Sequence, residues 1–425
     1  MNKNLVLISL FFVSIVSIFY WVFKSNDELY EAKWNAPDTT LAITIDGEIS
    51  TTFPTTSAYE TSVECTNGTG KVEWKNSKWI LTTSGITKGS TKCNATFIAR
   101  ELTFSEIILT KNEVKEPLTT PGKEISSEDE ALLASTEDDY GTSYYFRGTV
   151  KNNYVQFANK CWRIVRINGN NSVKLVLHND NTSGVSNPCS SVNNSGSEAF
   201  ATYDNTNYAS KFNPNSVDNA YVGFMYGATK ASNYADAHAN TNKRTILTNL
   251  ETWYTNNLVA YKDKLADTIW CNDKSASSYA YYAHESYYGA YDRITTNKTP
   301  SLFCPKDNNE GNLSRLTVDD VENGNGALDY KIGLLTVDEI TFAGCLYRTI
   351  NNSVYLQENA TEKSWWTMSP DRYNGHAYIW MVSGDSSLLT YAAYYSYAIR
   401  PAISLVSSIT ISDGSGTSED PYVVK

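Results

Sequence analysis

Hydrophobic and polar positions change rhythm along this chain, and each change predicts an element. Residues 5–23 form an uncharged, largely apolar run between Lys3 and Lys24, close to the ~20 residues that a helix needs to cross the hydrocarbon of a bilayer. Its end, Ile18-Phe19-Tyr20-Trp21, lacks the small residues of a leader-cleavage site. Residues 1–24 are therefore read as an uncleaved signal-anchor. This single transmembrane helix would place Tyr20 and Trp21 at the outer interface and the bulk of the chain outside the cell.

Residues 34–100 switch to a shorter period. The stretches 41–45, 59–63, 71–75, 79–82 and 93–97 alternate or bunch apolar residues, with Asp46-Gly47, Asn67-Gly68 and Asn76-Ser77 between them. This pattern predicts a small all-β sandwich or meander, with a hairpin turn between Trp74 and Trp79. Residues 101–139 carry Pro117, Pro121, Gly122 and the acidic Glu128-Asp129-Glu130. They read as an acidic linker with at most a turn or two of helix near residues 104–109.

Residues 140–425 read as one large domain. Tyr144-Tyr145-Phe146 and residues 161–167 and 173–177 have strand patterns, and the last two form a hairpin across Asn168-Gly169. Over residues 242–256, Ile246, Leu247, Leu250, Trp253 and Tyr254 recur at helical spacing behind Thr241 or Asn242 as N-cap. Further helices are expected at 261–269 and 337–343. A hairpin followed by helices and then by late strands predicts the α+β class.

Composition narrows the function. With 41% hydrophobic residues, 30 Tyr and 10 Trp, there is ample material for a core. A formal charge of −11 argues against a nucleic-acid partner, because phosphate neutralisation needs a basic face. Seven cysteines without a Cys-x-x-Cys spacing fit the scattered disulfides of an exported protein better than zinc, and an odd number leaves at least one thiol unpaired. Cys65 with Cys93, bracketing the β module, and Cys271 with Cys304, flanking a Tyr-rich stretch, are the expected pairs. Cys161, Cys189 and Cys345 cannot be apportioned from sequence.

A family resemblance rests on Tyr145-Phe146-Arg147-Gly148, on Trp162 through Gly169, on Trp365-Trp366-Thr367-Met368-Ser369-Pro370 and on Ile399-Arg400-Pro401-Ala402-Ile403. Over residues 140–405 the chain resembles an uncharacterised exported domain of low-GC Gram-positive bacteria, and its tail from Gly414 resembles the closing strand of those proteins. The Trp-x-x-Ser-Pro and Arg-Pro elements also look like the C-type-lectin-like fold shared with formylglycine-generating enzymes. That resemblance implies an α+β C-type-lectin-like distal domain, preceded by the small all-β domain and the transmembrane helix. A fold of this kind hosts many activities.

The interval 371–397 is the candidate binding face. Residues 377–382 are almost continuously apolar, as in a strand buried on both sides, and residues 383–386 turn it. On its flanks stand Asp371, Arg372, Tyr373, Asn374 and His376, and then Tyr391, Tyr394, Tyr395 and Tyr397. Tyr offers large contact area at low entropy cost and Asn offers adaptable hydrogen bonds; both suit a glycan or a protein ligand. The competing arrangement packs residues 391–397 inward as a satellite core. Arg400 is expected to be structural, bonded to carbonyl groups.

Catalytic signals are sparse. There is no Gly-x-Ser-x-Gly, no His-Glu-x-x-His and no phosphate-binding glycine loop. No cysteine follows Cys345, whereas formylglycine-generating enzymes use a late cysteine pair. The histidines His178, His238, His284 and His376 are far apart, and Asp338-Glu339 at a helix start complement the helix dipole. Asp204, Asp218 and Asp236 are too dispersed for a calcium cage, so neither metal nor other cofactor is expected. The reading is a membrane-anchored, extracellular adhesion or binding protein without catalytic residues. A non-catalytic structural envelope component and a divergent enzyme of the formylglycine-generating type are the alternatives.

Overall fold

A computed structural model describes residues 40–425, except 77, 87–90, 126–129, 277–284, 307–311 and 361. The expected anchor at residues 1–24 lies outside the described residues, as do Glu128, Asp129 and His284. Among the described residues no helix is long and apolar enough to cross a membrane. The single-pass cell-membrane placement, with the membrane as a partner, is accordingly not retained.

Two compact units divide the chain, Met1–Leu102 and Thr103–Lys425. In the first, the strands Thr40–Ile45, Glu48–Ser50, Tyr59–Cys65 and Lys92–Ala99 form one sheet. Thr40–Ile45 pairs in parallel with Lys92–Ala99, so the unit is not a pure antiparallel meander. The strands Thr69–Lys75 and Lys78–Ser84 form the expected hairpin, in which Trp74 faces Trp79 with ring centroids 5.2 Å apart. Alternate side chains from both layers, among them Leu41, Ile43, Val72, Leu81, Ala95 and Phe97, close a small core.

The second unit begins earlier than the sequence pattern indicates. Residues 101–139 are not a linker throughout, because the helix Phe104–Lys111 buries Phe104 and Ile108, and the strand Ala131–Asp138 pairs with Gly141–Gly148. An eight-stranded sheet is built on the hairpin of Lys160–Ile167 with Val173–Asn179, flanked by Tyr154–Phe157 and Ala402–Leu405. The tail strand Tyr422–Val424 adds in parallel to Tyr154–Phe157. A six-stranded sheet carries Trp365–Tyr373, Ala377–Val382, Leu388–Ala392 and Ser396–Ala398.

This corrects the α+β, C-type-lectin-like expectation, since the chain is mostly β, with 36% strand and 16% helix. The helix Val337–Ala343 occurs where the periodicity places it, whereas the one expected over residues 242–256 is Thr245–Asn257, with Arg244 rather than Thr241 or Asn242 at its N-cap because Asn242–Lys243 is a short strand. The helix expected at 261–269 is only the 3₁₀ segment Val259–Lys264, followed by extended chain. Tyr, Thr, Asn and Ser dominate the remainder, and these favour short strands and turns over helix.

Candidate functional site

Two hairpins and a turn build the face that the sequence singles out. Trp365–Tyr373 pairs antiparallel with Ala377–Val382, which pairs with Leu388–Ala392. Because Tyr373 is opposite Ala377, the connection is the three-residue loop Asn374-Gly375-His376, with Gly375 at φ 86°. The next turn is pinned from both sides: the Ala393 amide donates to the Ala377 carbonyl at 2.9 Å, and the Asn213 amide donates to the Ala393 carbonyl at 2.9 Å. Tyr394 and Tyr395 project from this fixed turn, 37% and 44% exposed.

Their rings form a ladder. Tyr394 and Tyr395 lie 4.7 Å apart at 29°, and Tyr395 and Tyr397 lie 6.4 Å apart at 23°. Tyr391 closes a corner at 86° to Tyr395 and 74° to Tyr397. Tyr397 rests edge-on against the buried Trp366, and burial pushes its phenol up to about 12. His376 packs edge-on to Tyr394 at 5.5 Å, and its Nδ1 shares a hydrogen bond of 2.8 Å with Ser216 Oγ. The hydrogen bond to the Tyr395 phenol raises the Tyr394 phenol above its ordinary value.

The nine predicted residues therefore separate by role. Tyr394, Tyr395 and Asn374 are exposed, while His376, Tyr391, Tyr397 and Arg372 are half-buried. Residues 391–397 thus do both things that the sequence left open: Tyr391 and Tyr397 support the layer, and Tyr394 and Tyr395 face out. Asp371 and Tyr373 are buried beneath and cannot meet a ligand directly. Arg372 donates to Asp371 and to Thr390 Oγ1 (3.2 Å) and lies 4.3 Å over the Tyr378 ring. Sequence reasoning missed Tyr378, read as part of a doubly buried strand but half-exposed, and the pair Tyr287 and Tyr291 at 4.5 Å. Tyr287 pairs opposite Arg372. The Tyr-rich run before residue 292 was the available signal.

A second polar cluster is of a different nature. Asp138, Arg166, Lys174, Glu339, Asp273, Arg293 and Asp338 surround a cavity of about 20 Å³, room for one or two waters. The charges satisfy one another: Lys174 to Glu339 at 2.6 Å, Arg166 to Asp138 at 2.5 Å, and Arg293 to Asp273 and Asp338 at 2.8 and 2.9 Å. Lys174 and Arg166 hold the Glu339 carboxyl down near 2 against the opposing effect of burial. This ion network joins the helix Val337–Ala343 to the large sheet and leaves little room for a substrate.

The remaining candidates are structural. Arg400 donates to the carbonyls of Leu177 (2.8 Å) and Leu356, as expected. His178 is wholly buried, and desolvation with Arg163 and Arg400 nearby keeps its imidazole neutral. Burial pushes the Cys345 thiol up to about 12, far from a reactive thiolate. Among the described residues no group of three or more His, Cys, Asp or Glu could hold a metal ion. Three disulfides are present: the expected Cys65–Cys93 and Cys271–Cys304, and Cys161–Cys189, which the sequence left open. They are consistent with an extracellular protein.

Comparison with protein-family models, with curated proteins and with solved structures returns no match for this chain.

Proposed function

We propose that this chain is an extracellular binding protein whose Tyr/Asn-rich face takes a glycan ligand. The observation that carries the reading is the exposed, nearly parallel pair Tyr394 and Tyr395 on a turn fixed by two backbone hydrogen bonds. Sugar rings present apolar faces that stack on aromatic rings, while their hydroxyls meet phenols and amides such as Asn374. An aromatic surface whose backbone is already fixed loses less freedom on binding than a mobile loop would. Three disulfides support an oxidising, extracellular setting.

The test is a glycan array probed with the oxidised protein and with the double variant Tyr394→Ala, Tyr395→Ala. Binding by the parent, lost in the variant at an unchanged melting temperature, is the expected result. A folded parent that binds no glycan, or a variant that binds as well as the parent, would overturn the reading.

A further inference from the structure

The loop that joins two strands of the candidate face contains one of five Asn-Gly pairs in the chain: Asn67-Gly68, Asn168-Gly169, Asn323-Gly324, Asn325-Gly326 and Asn374-Gly375. Any Asn-Gly sequence can rearrange by attack of the glycine amide nitrogen on the asparagine Cγ. A native structure permits this only where the side chain can swing and the attacking N–H is not held.

Four of the five pairs are held. Asn168 is buried, its Nδ2 donates to Ser172 Oγ at 2.7 Å, and the Gly169 amide donates to the Asp138 carboxylate at 3.1 Å. Asn323 Nδ2 donates to Asp320 Oδ2 at 2.9 Å, and Gly324 is packed so tightly that a Cβ would lie 2.3 Å from Thr317. Asn325 uses both ends of its amide, Nδ2 to the Asn312 carbonyl and Oδ1 from the Ala327 amide. Asn67 is itself engaged, and a Cβ on Gly68 would lie 2.4 Å from the Ser84 carbonyl oxygen.

Asn374-Gly375 has none of these restraints. Asn374 and Gly375 are exposed, and nothing lies within 4 Å of a Cβ built on Gly375. The Gly375 glycine backbone has φ 86°, open to rotation without steric penalty. Among the described residues the Asn374 side chain makes no hydrogen bond and the Gly375 amide donates to none; the loop's own bond is Asn374 N–H to the His376 carbonyl at 3.2 Å.

We infer that Asn374 is the selective site of spontaneous deamidation and isomerisation in the folded protein. The Gly375 nitrogen forms the new bond to Asn374 Cγ and loses its proton. The Cγ–Nδ2 bond breaks, and Nδ2 leaves with that proton as ammonia. Solvent water then opens the succinimide to aspartate or isoaspartate. The product adds a negative charge, and for isoaspartate an extra backbone carbon, in the loop beside His376 and Tyr394. This inference is independent of the ligand proposal, because it rests on the exposure and hydrogen bonding of the Asn374-Gly375 loop and not on what the face binds.

The experiment is peptide mass mapping of the full chain, native and denatured, aged at mildly alkaline pH, with isoaspartate detected enzymatically. In native protein, conversion at residue 374 should exceed that at each other pair severalfold, and denaturation should erase the preference. Asn374→Gln should abolish the dominant product. Conversion at Asn67, Asn168, Asn323 or Asn325 as fast as at Asn374 in the native protein, or a preference that survives denaturation, would overturn the inference.

Discussion

Asp371 lies fully buried beneath the candidate face, and desolvation pushes its carboxyl from 3.8 to about 6 despite the adjacent Arg372. Its Oδ1 has no hydrogen-bond partner, so ionisation in place is costly. The sign follows from proton binding. Between about pH 4 and 6 the folded chain keeps a proton that the unfolded chain has released, so this group's contribution to stability declines as pH rises through that window. The difference between 3.8 and about 6 corresponds to about 3 kcal/mol. Asp371→Asn fixes the neutral state, and its melting temperature relative to the parent is expected to be more favourable at pH 7 than at pH 4. An offset that does not change with pH would show that Asp371 is not strained by its charge. Sequence put Asp371 on the binding face because it flanks the apolar strand. It could not show that the side chain points inward, since the register shifts between residues 366 and 372 break simple alternation.

Among the elements, the helix Val337–Ala343 was legible from its periodicity and its acidic start, and the structure adds a capping box between Thr336 and Glu339. What the local pattern could not show is that Glu339 Oε1 also takes Arg166 and Lys174 from the neighbouring hairpin, a pairing across more than half the domain. Glu339 therefore acts both in the cap and as counter-ion to Lys174, whose ammonium is already disfavoured by complete burial. Glu339→Ala should cost about 3–5 kcal/mol, the penalty for stranding one partner of a buried pair. The denaturant midpoint should fall with the slope unchanged. Replacing Glu339 and Lys174 together by apolar residues should recover much of that loss; a double variant no better than Glu339→Ala would refute the ion-pair account. Glu339 has its folded value depressed to about 2 and Glu358 likewise, so their stabilisation is complete above about pH 4.5 and is lost as pH falls toward 2. The aromatic turn at residues 392–395 was legible as composition, whereas the fixing of its backbone by Ala377 and Asn213 depends on pairings that no local pattern encodes.

For the molecule as a whole, the sequence separated a small β module from a large domain, but it misplaced the boundary because the Pro-rich, acidic stretch hides a helix and an edge strand that belong to the larger unit. The size difference has an energetic consequence. The module's core is a handful of residues around Phe97 and Leu81, and a domain of this size has little stability from burial alone. Its disulfide joins Cys65 to Cys93, directly opposite each other on neighbouring strands and 28 residues apart in sequence, which in the chain-entropy treatment is worth about 3.5 kcal/mol. The larger unit carries two disulfides over a core that includes Trp162, Trp253, Trp270, Trp365, Trp366 and Trp380, all fully buried, so each bridge is a smaller share of its stability. Fragments 40–102 and 103–425, each melted by circular dichroism with and without reductant, should respond unequally. Reduction, or Cys65→Ser with Cys93→Ser, should unfold most of the small fragment at physiological temperature, while the large fragment melts cooperatively with a modest decrease. A small fragment whose melting curve is the same reduced and oxidised would mean that its sheet pairing, including the parallel contact of Thr40–Ile45 with Lys92–Ala99, is sufficient without the bridge.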